Sequence, residues 1–470
     1  MQDDLLNLSI EQISELIQDG SISSLDLTEA VLDNIGRLEP KLNAFIKVLN
    51  EESIEAAKAA DVARANGTNL GSLHGIPVAV KDLFATKNIP STAGSKILSN
   101  WVPEQDASAV SKLKAAGAII IGKCNMDEFA FGGTTENDHY GITHNPWDIS
   151  RSPGGSSGGS AVAVASRMVF GSLGTDTAAS VRNPAHFCGI VGLKPSYGRV
   201  SNSGVVPLAW SLDHVGPFTR TVKDSAIMLQ AIAGYDPKDS YSSRNKVEDY
   251  TKNIDTPMSN LKIGILKDYF WDPIEPSVND AVEKAIDVLT GLGSKAQNVT
   301  FDSAHLFPIL MNTVLPAEAA AYHKQWLETK QTDYGQKILD RILPGLTVSG
   351  PDYINAQRIR DHLKTSFMQM FEPFDVLICP TVPYTAAKIG QLEVTVGESK
   401  IEASVARTKN LFPFNALGLP AISIPCGFDQ NNMPIGFQII GKPFEESKLL
   451  QLGNNYQKNT TWHLMSPIIE

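Results

Sequence analysis

Cysteine is scarce in this chain: four among 470 residues, at Cys124, Cys188, Cys379 and Cys426, with no CxxC pair. That scatter excludes a disulfide framework and fits a reducing, cytoplasmic setting. Long apolar runs are missing too. Stretches such as 161–165 fall far short of the roughly 20 residues a membrane-spanning helix needs. The first twenty residues carry acids where a leader would be basic and then apolar, and they read as folded helix. The glycosylation sequons at 66–68 and 298–300 therefore carry no information. No Lys/Arg-rich run occurs, and 40 Lys+Arg against 51 Asp+Glu leave a net charge of −11. Direct contact with nucleic acid is not expected from such a chain. The nine histidines form no HExxH or comparable ligand pair, so neither a metal nor a cofactor is expected.

What remains is an ordinary folded composition, 42% hydrophobic and 19% charged. Ser9 precedes IEQISELIQDG and Ser23 precedes SLDLTEAVLDNIGRLEP, each a capping hydroxyl ahead of apolar positions at helical spacing. A third helix is predicted over 51–65, stopping at Gly67. HGIPVAVKD, 74–82, is too short for a helix and reads as strand. Residues 107–116 read as helix and the following AIIIG as a buried strand. This alternation predicts an α/β fold in one large domain, with a central, mixed but mostly parallel twisted sheet covered by helices on both faces. Its expected parts are N-terminal helices over 1–67, a core carrying the chemistry over 68–235, a helical pocket region over 300–370, and returning strands over 371–470.

Residues 117–124 nearly spell a phosphate-binding loop, GxxxxGK[ST]. Cys124 stands where a hydroxyl is needed, and the intervening AIII is apolar, so strand is the better reading. SPGGSSGGSAVAVAS, 152–166, has the composition of a flexible linker. It runs straight into a helix-compatible apolar segment, however, and a glycine-rich loop feeding a helix presents amide N–H groups to an anion. Residues 154–158 also fit GxSxG, the nucleophile elbow of α/β-hydrolases, although no later Asp…His pair follows. A second serine lies in GTDTAASVRNPA, 174–185. Lys81, in IPVAVKDLF, reads either as a strand-end charge reaching water or as a buried amine. Burial to a pKa of roughly 7–8 would make that amine a usable base, and Ser–Lys pairs are a known variant of the serine triad.

VAVKD, NPW…SPGGSSGGSA and TDTxxSxRxPA occur in this order, with 75 residues from Lys81 to Ser156 and 24 from Ser156 to Ser180. Together with GKCNMDEFAFG, CGIVGLKPSYGRVS, LDHVGPFTR and NALGLPAISIPCG, they resemble the amidase signature family across most of the chain. The resemblance implies that Ser180 is the nucleophile carrying the acyl group, that Ser156 follows a cis peptide bond and relays the proton, and that neutral Lys81 is the base. It implies an oxyanion hole from the main-chain N–H groups of Thr177, Ala178, Ala179 and Ser180. Supporting or substrate-binding roles fall to Ala130, Ser157, Asp176 and Arg182. One departure stands out: the family usually reads TDTGGS, whereas this chain has Ala178-Ala179, which restricts backbone angles and narrows the acyl pocket.

Two activities follow from the resemblance. The first is a stand-alone hydrolase, a homodimer among its expected assemblies, acting on a small amide, carbamate or urea-like substrate. The second resembles the glutaminase component of tRNA-dependent amidotransferases, which passes ammonia to Gat-type partner subunits. Against the second stand Ala178-Ala179 and the stretch Thr408-Lys409-Asn410, where such glutaminases carry an acid for the glutamine amino group. A third reading, an inactive binding module on the same scaffold, requires loss of a central residue, and all three are present.

Overall fold

The capping serines start helices where they are expected. Ser9 Oγ accepts the N–H of Gln12, and the Gln12 side chain accepts from the Ser9 N–H, closing a capping box over the helix Ile10–Gln18. Ser23 caps Ser24–Leu42 in the same way through the Asp26 N–H. That helix ends at Asn43, in the left-handed conformation that Asn tolerates. The third helix, Asn50–Ala65, stops ahead of Gly67. The computed structural model describes residues 2–68 and 71–469.

Eleven strands form one sheet: β1 (Phe45–Val48), β2 (Pro77–Lys81), β3 (Ile119–Cys124), β4 (Gly171–Asp176), β5 (Val191–Lys194), β6 (His214–Thr219), β7 (Lys262–Leu266), β8 (Lys295–Val299), β9 (Val376–Pro380), β10 (Ala421–Phe428) and β11 (Pro434–Ile440). Their order is β1-β3-β2-β4-β6-β5-β10-β11-β9-β7-β8, so strands from both ends of the chain share the sheet. The sheet is mixed, as expected. Parallel pairing, expected to dominate, is confined to two flanks, β3-β2-β4 and β9-β7-β8, and the other six pairs are antiparallel. One cause is the connection length: β10 and β11 are joined by a turn too short for the crossover that parallel strands require. β2, β3, β4 and β6 are buried at every residue, whereas the edge strands β1 and β8 have exposed positions. Strands covered on both faces read as continuous apolar runs, which is why AIII looked like sheet.

Helices flank the sheet. Gly158–Ala165 is buried at every residue and packs on β4 and β2. The glycine-rich stretch is therefore structural, not a linker. A Cβ on Gly159 would come within 2.4 Å of the Ala44 carbonyl oxygen and 2.5 Å of that of Asn125, so only glycine lets the helix approach this closely. The phosphate-loop lookalike is β3. Its Lys123 is buried beside Asp82 at 3.5 Å and donates to Ser91 Oγ, Thr86 Oγ1 and the Phe84 carbonyl, tying down the 84–91 loop. Between β8 and β9 lie the helices Phe307–Thr329, Gln336–Ile342 and Gly350–Phe371. A two-stranded hairpin, Glu393–Val396 with Ser399–Glu402, was not foreseen from the sequence. All four cysteines are free and buried, and no described helix is long and apolar enough to cross a membrane.

Candidate active site

Three segments meet at the carboxyl ends of neighbouring parallel strands. Register pairs Val80 of β2 with Leu173 of β4, so Lys81 and Thr175 leave the sheet at the same edge. Ser156 arrives from the loop ahead of Gly158–Ala165, after a cis Gly155–Ser156 peptide. Lys81 Nζ lies 2.7 Å from Ser156 Oγ and 3.0 Å from Thr175 Oγ1. Lys81 and Ser156 are both fully buried. Burial lowers the Lys81 pKa to about 7, against the charges of Asp127, Asp213 and Asp176, which pull it back up. Lys81 takes part in no ion pair among the described residues, so a large share of its amines is neutral near pH 7.

Ser180 follows β4 at the head of a tight loop that enters the helix Arg182–Cys188, and it lines a cavity of about 450 Å³. Gly155, Thr177, Ala178, Ala179 and Ala130 line the same cavity. Among the described residues, the N–H groups of Thr177, Ala178, Ala179 and Ser180 donate to no acceptor inside the protein, while the next two, of Val181 and Arg182, donate to Asp176. Four unpaired amides beside a cavity are the donors an oxyanion needs. Neither Ala178 nor Ala179 has a positive φ, so the doubled alanine sits in this loop without backbone strain. No hydrogen bond joins Ser156 Oγ to Ser180 Oγ among the described residues.

Asp176 anchors this loop. Its buried carboxylate takes Arg182 Nε at 3.0 Å and Nη2 at 3.1 Å, and Asn415 Nδ2 at 2.9 Å. Burial alone would raise its pKa; the Arg182 charge and these hydrogen bonds instead hold the carboxyl well below the usual carboxylate range. Thr177 Oγ1 donates to Asp213 at 2.6 Å from the other side of the loop. Ser157 supports the site from beneath and does not line the cavity: its hydroxyl bonds the Thr175 carbonyl at 3.2 Å. Ser156 is equally remote from the exposed elbow that GxSxG suggested, being fully buried. Ala130 and the preceding Phe129 both have left-handed φ, 61° and 48°, a conformation that non-glycine residues hold only where the surroundings impose it. No histidine lines the cavity.

Four groups at the site went unnoticed in the sequence. Thr175 opens the TDTxxSxRxPA segment and meets Lys81 only once β4 pairs with β2. Asp127, inside the quoted GKCNMDEFAFG segment, is buried and takes the N–H groups of Thr134 and Thr135. Arg341 and Arg407 line the cavity from far downstream, in helices without any motif.

Comparison with known proteins agrees with this geometry. The Amidase family model matches residues 26–450. The A-type component of glutamyl-tRNA(Gln) amidotransferase from Acaryochloris marina is 40% identical over 483 residues, covering 98% of this chain and 99% of that one. A structure described as a vestigial protein complex bearing on the origins of an s-triazine catabolic enzyme contains a chain 35% identical, with TM-score 0.92 over 96% of this chain and 98% of that one. The corresponding A-type component of the Thermotoga maritima glutamyl-tRNA(Gln) amidotransferase is 34% identical, with TM-score 0.83 over 99% and 98%. The matched segment includes every strand of the large sheet and every residue of the lysine–serine site, and the chain therefore belongs to the amidase family, amidase-signature hydrolases acting on carbon–nitrogen bonds other than peptide bonds.

Proposed function

We propose that the chain cleaves the C–N bond of a small amide-type substrate through an acyl-enzyme on Ser180, with Lys81 as base and Ser156 as the relay. The observation that carries this reading is the buried 2.7 Å contact between Lys81 Nζ and Ser156 Oγ. In the first step neutral Lys81 takes the Ser156 proton as Ser156 takes that of Ser180, and Ser180 Oγ attacks the carbonyl carbon. Negative charge developing on the carbonyl oxygen meets the free N–H groups of residues 177–180, each worth about 10²–10³ in rate. As the C–N bond breaks, the proton returns through Ser156 to the leaving nitrogen. Water then attacks the ester, giving its proton to the same relay, which returns it to Ser180 Oγ as the ester C–O bond breaks and the acid product leaves. The relay needs the two serine hydroxyls to close on one another with substrate bound, a tightening common to catalytic hydrogen bonds.

Two substrate readings have separate support. The nearly full-length likeness to the A-type components of glutamyl-tRNA(Gln) amidotransferases supports a glutaminase that works with partner subunits. Thr408, which lines the cavity in the stretch where an acid was expected, supports a stand-alone hydrolase of small amides, carbamates or urea-like compounds. The purified chain, alone and with amidotransferase partner subunits, is to be assayed on glutamine, aryl and aliphatic amides and an alkyl carbamate. Ammonia from glutamine only with the partners present supports the first reading. Turnover of amides or carbamates by the chain alone, without response to glutamine, overturns it. Absence of covalent labelling at Ser180 by an activated-serine reagent overturns both.

A further inference from the structure

A second cavity, of about 180 Å³, lies where the helix Ser24–Leu42 meets the C-terminal residues 466–469, and it shares no lining residue with the cavity at Ser180. Two cationic side chains line it: Arg37, exposed on Ser24–Leu42, and Arg167, just beyond the helix Gly158–Ala165. No carboxylate lines it among the described residues. The arginine–carboxylate pairs of the described residues involve Arg151, Arg182 and Arg199; neither Arg37 nor Arg167 takes part in one. The Arg167 side chain donates to no described residue, and its Nε is buried without a hydrogen-bond partner. Burial lowers the Arg167 pKa, and burial and then the Arg167 charge lower that of buried Arg220 to about 10.

Arg167 occupies a position that glycine usually holds. The Met168 N–H donates to the Ala163 carbonyl at 2.9 Å and the Arg167 N–H to that of Val164 at 3.2 Å, which closes the helix with residue 167 in the left-handed region, at φ 59°. An arginine there carries a conformational penalty that glycine avoids. Basic side chains at a helix end commonly bond its last carbonyls, but the Arg167 guanidinium does not. Buried Asn34 bonds the Ser166 and Arg167 carbonyls instead, through Nδ2 at 3.3 and 2.9 Å. Its Oδ1 accepts from Arg37 Nη2 at 2.8 Å, so one side chain fixes both the strained turn and the second arginine. Two guanidinium groups on one pocket without a counter-charge are completed by an anion, and phosphate oxygens match their planar forks. The pocket is smaller than the roughly 300–1,000 Å³ of sites for drug-sized ligands, which suits a single phosphate group. The net charge of −11 disfavours a polyanion such as nucleic acid. We propose that Arg37 and Arg167 form a binding site for a small phosphate-bearing anion, separate from the chemistry at Ser180.

Inorganic phosphate titrated calorimetrically into the full chain near neutral pH, against a chloride control of equal ionic strength, should bind at one site with a Kd below about 1 mM. Glycerol 3-phosphate is titrated in parallel, and the tighter of the two identifies the source as the free ion or an ester. Arg167→Gly is the decisive variant. It removes the guanidinium and gives the turn the residue it favours, so the thermal unfolding midpoint should not fall, yet both anions should bind about tenfold or more weakly. Arg37→Met should weaken binding by a similar factor, while Arg167→Lys keeps part of it, since lysine retains the charge without the fork. Added phosphate should raise the unfolding midpoint of the wild type and leave that of Arg167→Gly unchanged. Absence of saturable binding for both anions overturns the site, and so does an affinity that Arg167→Gly leaves unchanged. Should Arg167→Gly not fold, Arg37→Met and Arg167→Lys decide the question, and unchanged affinity in both overturns the site.

Discussion

A fully buried lysine whose closest polar neighbours are hydroxyls, not carboxylates, has its charge withdrawn by burial. Lys81 is in that position, with a pKa of about 7. The working form is the neutral amine, so kcat/KM should rise with pH, level off above about 7, and fall tenfold for each unit below it. A pH–rate profile flat from 5 to 8 would remove Lys81 as the base. Lys81→Met keeps the stem and loses the amine; its expected cost is about 10²–10⁴ in kcat with unchanged thermal unfolding. Ser180→Ala should abolish acyl-enzyme formation, read by mass spectrometry after quenching. Labelling that persists at Ser156 would instead favour the elbow reading.

At the level of elements, the loop between β4 and the helix Arg182–Cys188 has its two ends tied together by Asp176–Arg182, and its first residue is fixed by Thr177–Asp213. Asp176→Asn leaves a buried guanidinium without its counter-charge, and breaking such a pair costs about 3–5 kcal/mol. Urea titration should show a loss of that size, together with lost activity. Ala178 and Ala179 act differently. Their φ angles suit alanine, so Ala178→Gly should lower stability by about 0.4–1 kcal/mol through greater freedom of the unfolded chain. It leaves the oxyanion N–H in place, and a much larger loss in kcat would mean that the methyl group itself positions the substrate.

For the molecule as a whole, one sheet built from strands of both chain ends carries the site, and all four thiols are buried, three in its strands and Cys188 at the end of the helix Arg182–Cys188. Burial pushes the Cys124 and Cys379 thiols up to about 12. A thiol reagent should therefore react with the native protein hardly at all and with four groups after unfolding. Rapid native reaction would show that the sheet opens.

How much of this was open to a reader of the sequence depends on distance along the chain. The capped helices, the buried β3 strand and the segments bearing Lys81, Ser156 and Ser180 were readable, because caps, apolar runs and glycine-rich turns are local devices whose cause lies within a few residues. The predominance of antiparallel pairs was not, since pairing depends on which distant strands meet. Ser157 looked like a second site hydroxyl, and only the packing of its helix on β4 shows it bonded to backbone. Arg341 and Arg407 had no pattern to mark them; only folding places both against one cavity, within reach of the buried Asp127 charge. Residue chemistry and local conformation were thus written in the sequence alone, whereas partners, burial and the resulting charge states arose only when segments hundreds of residues apart excluded water together.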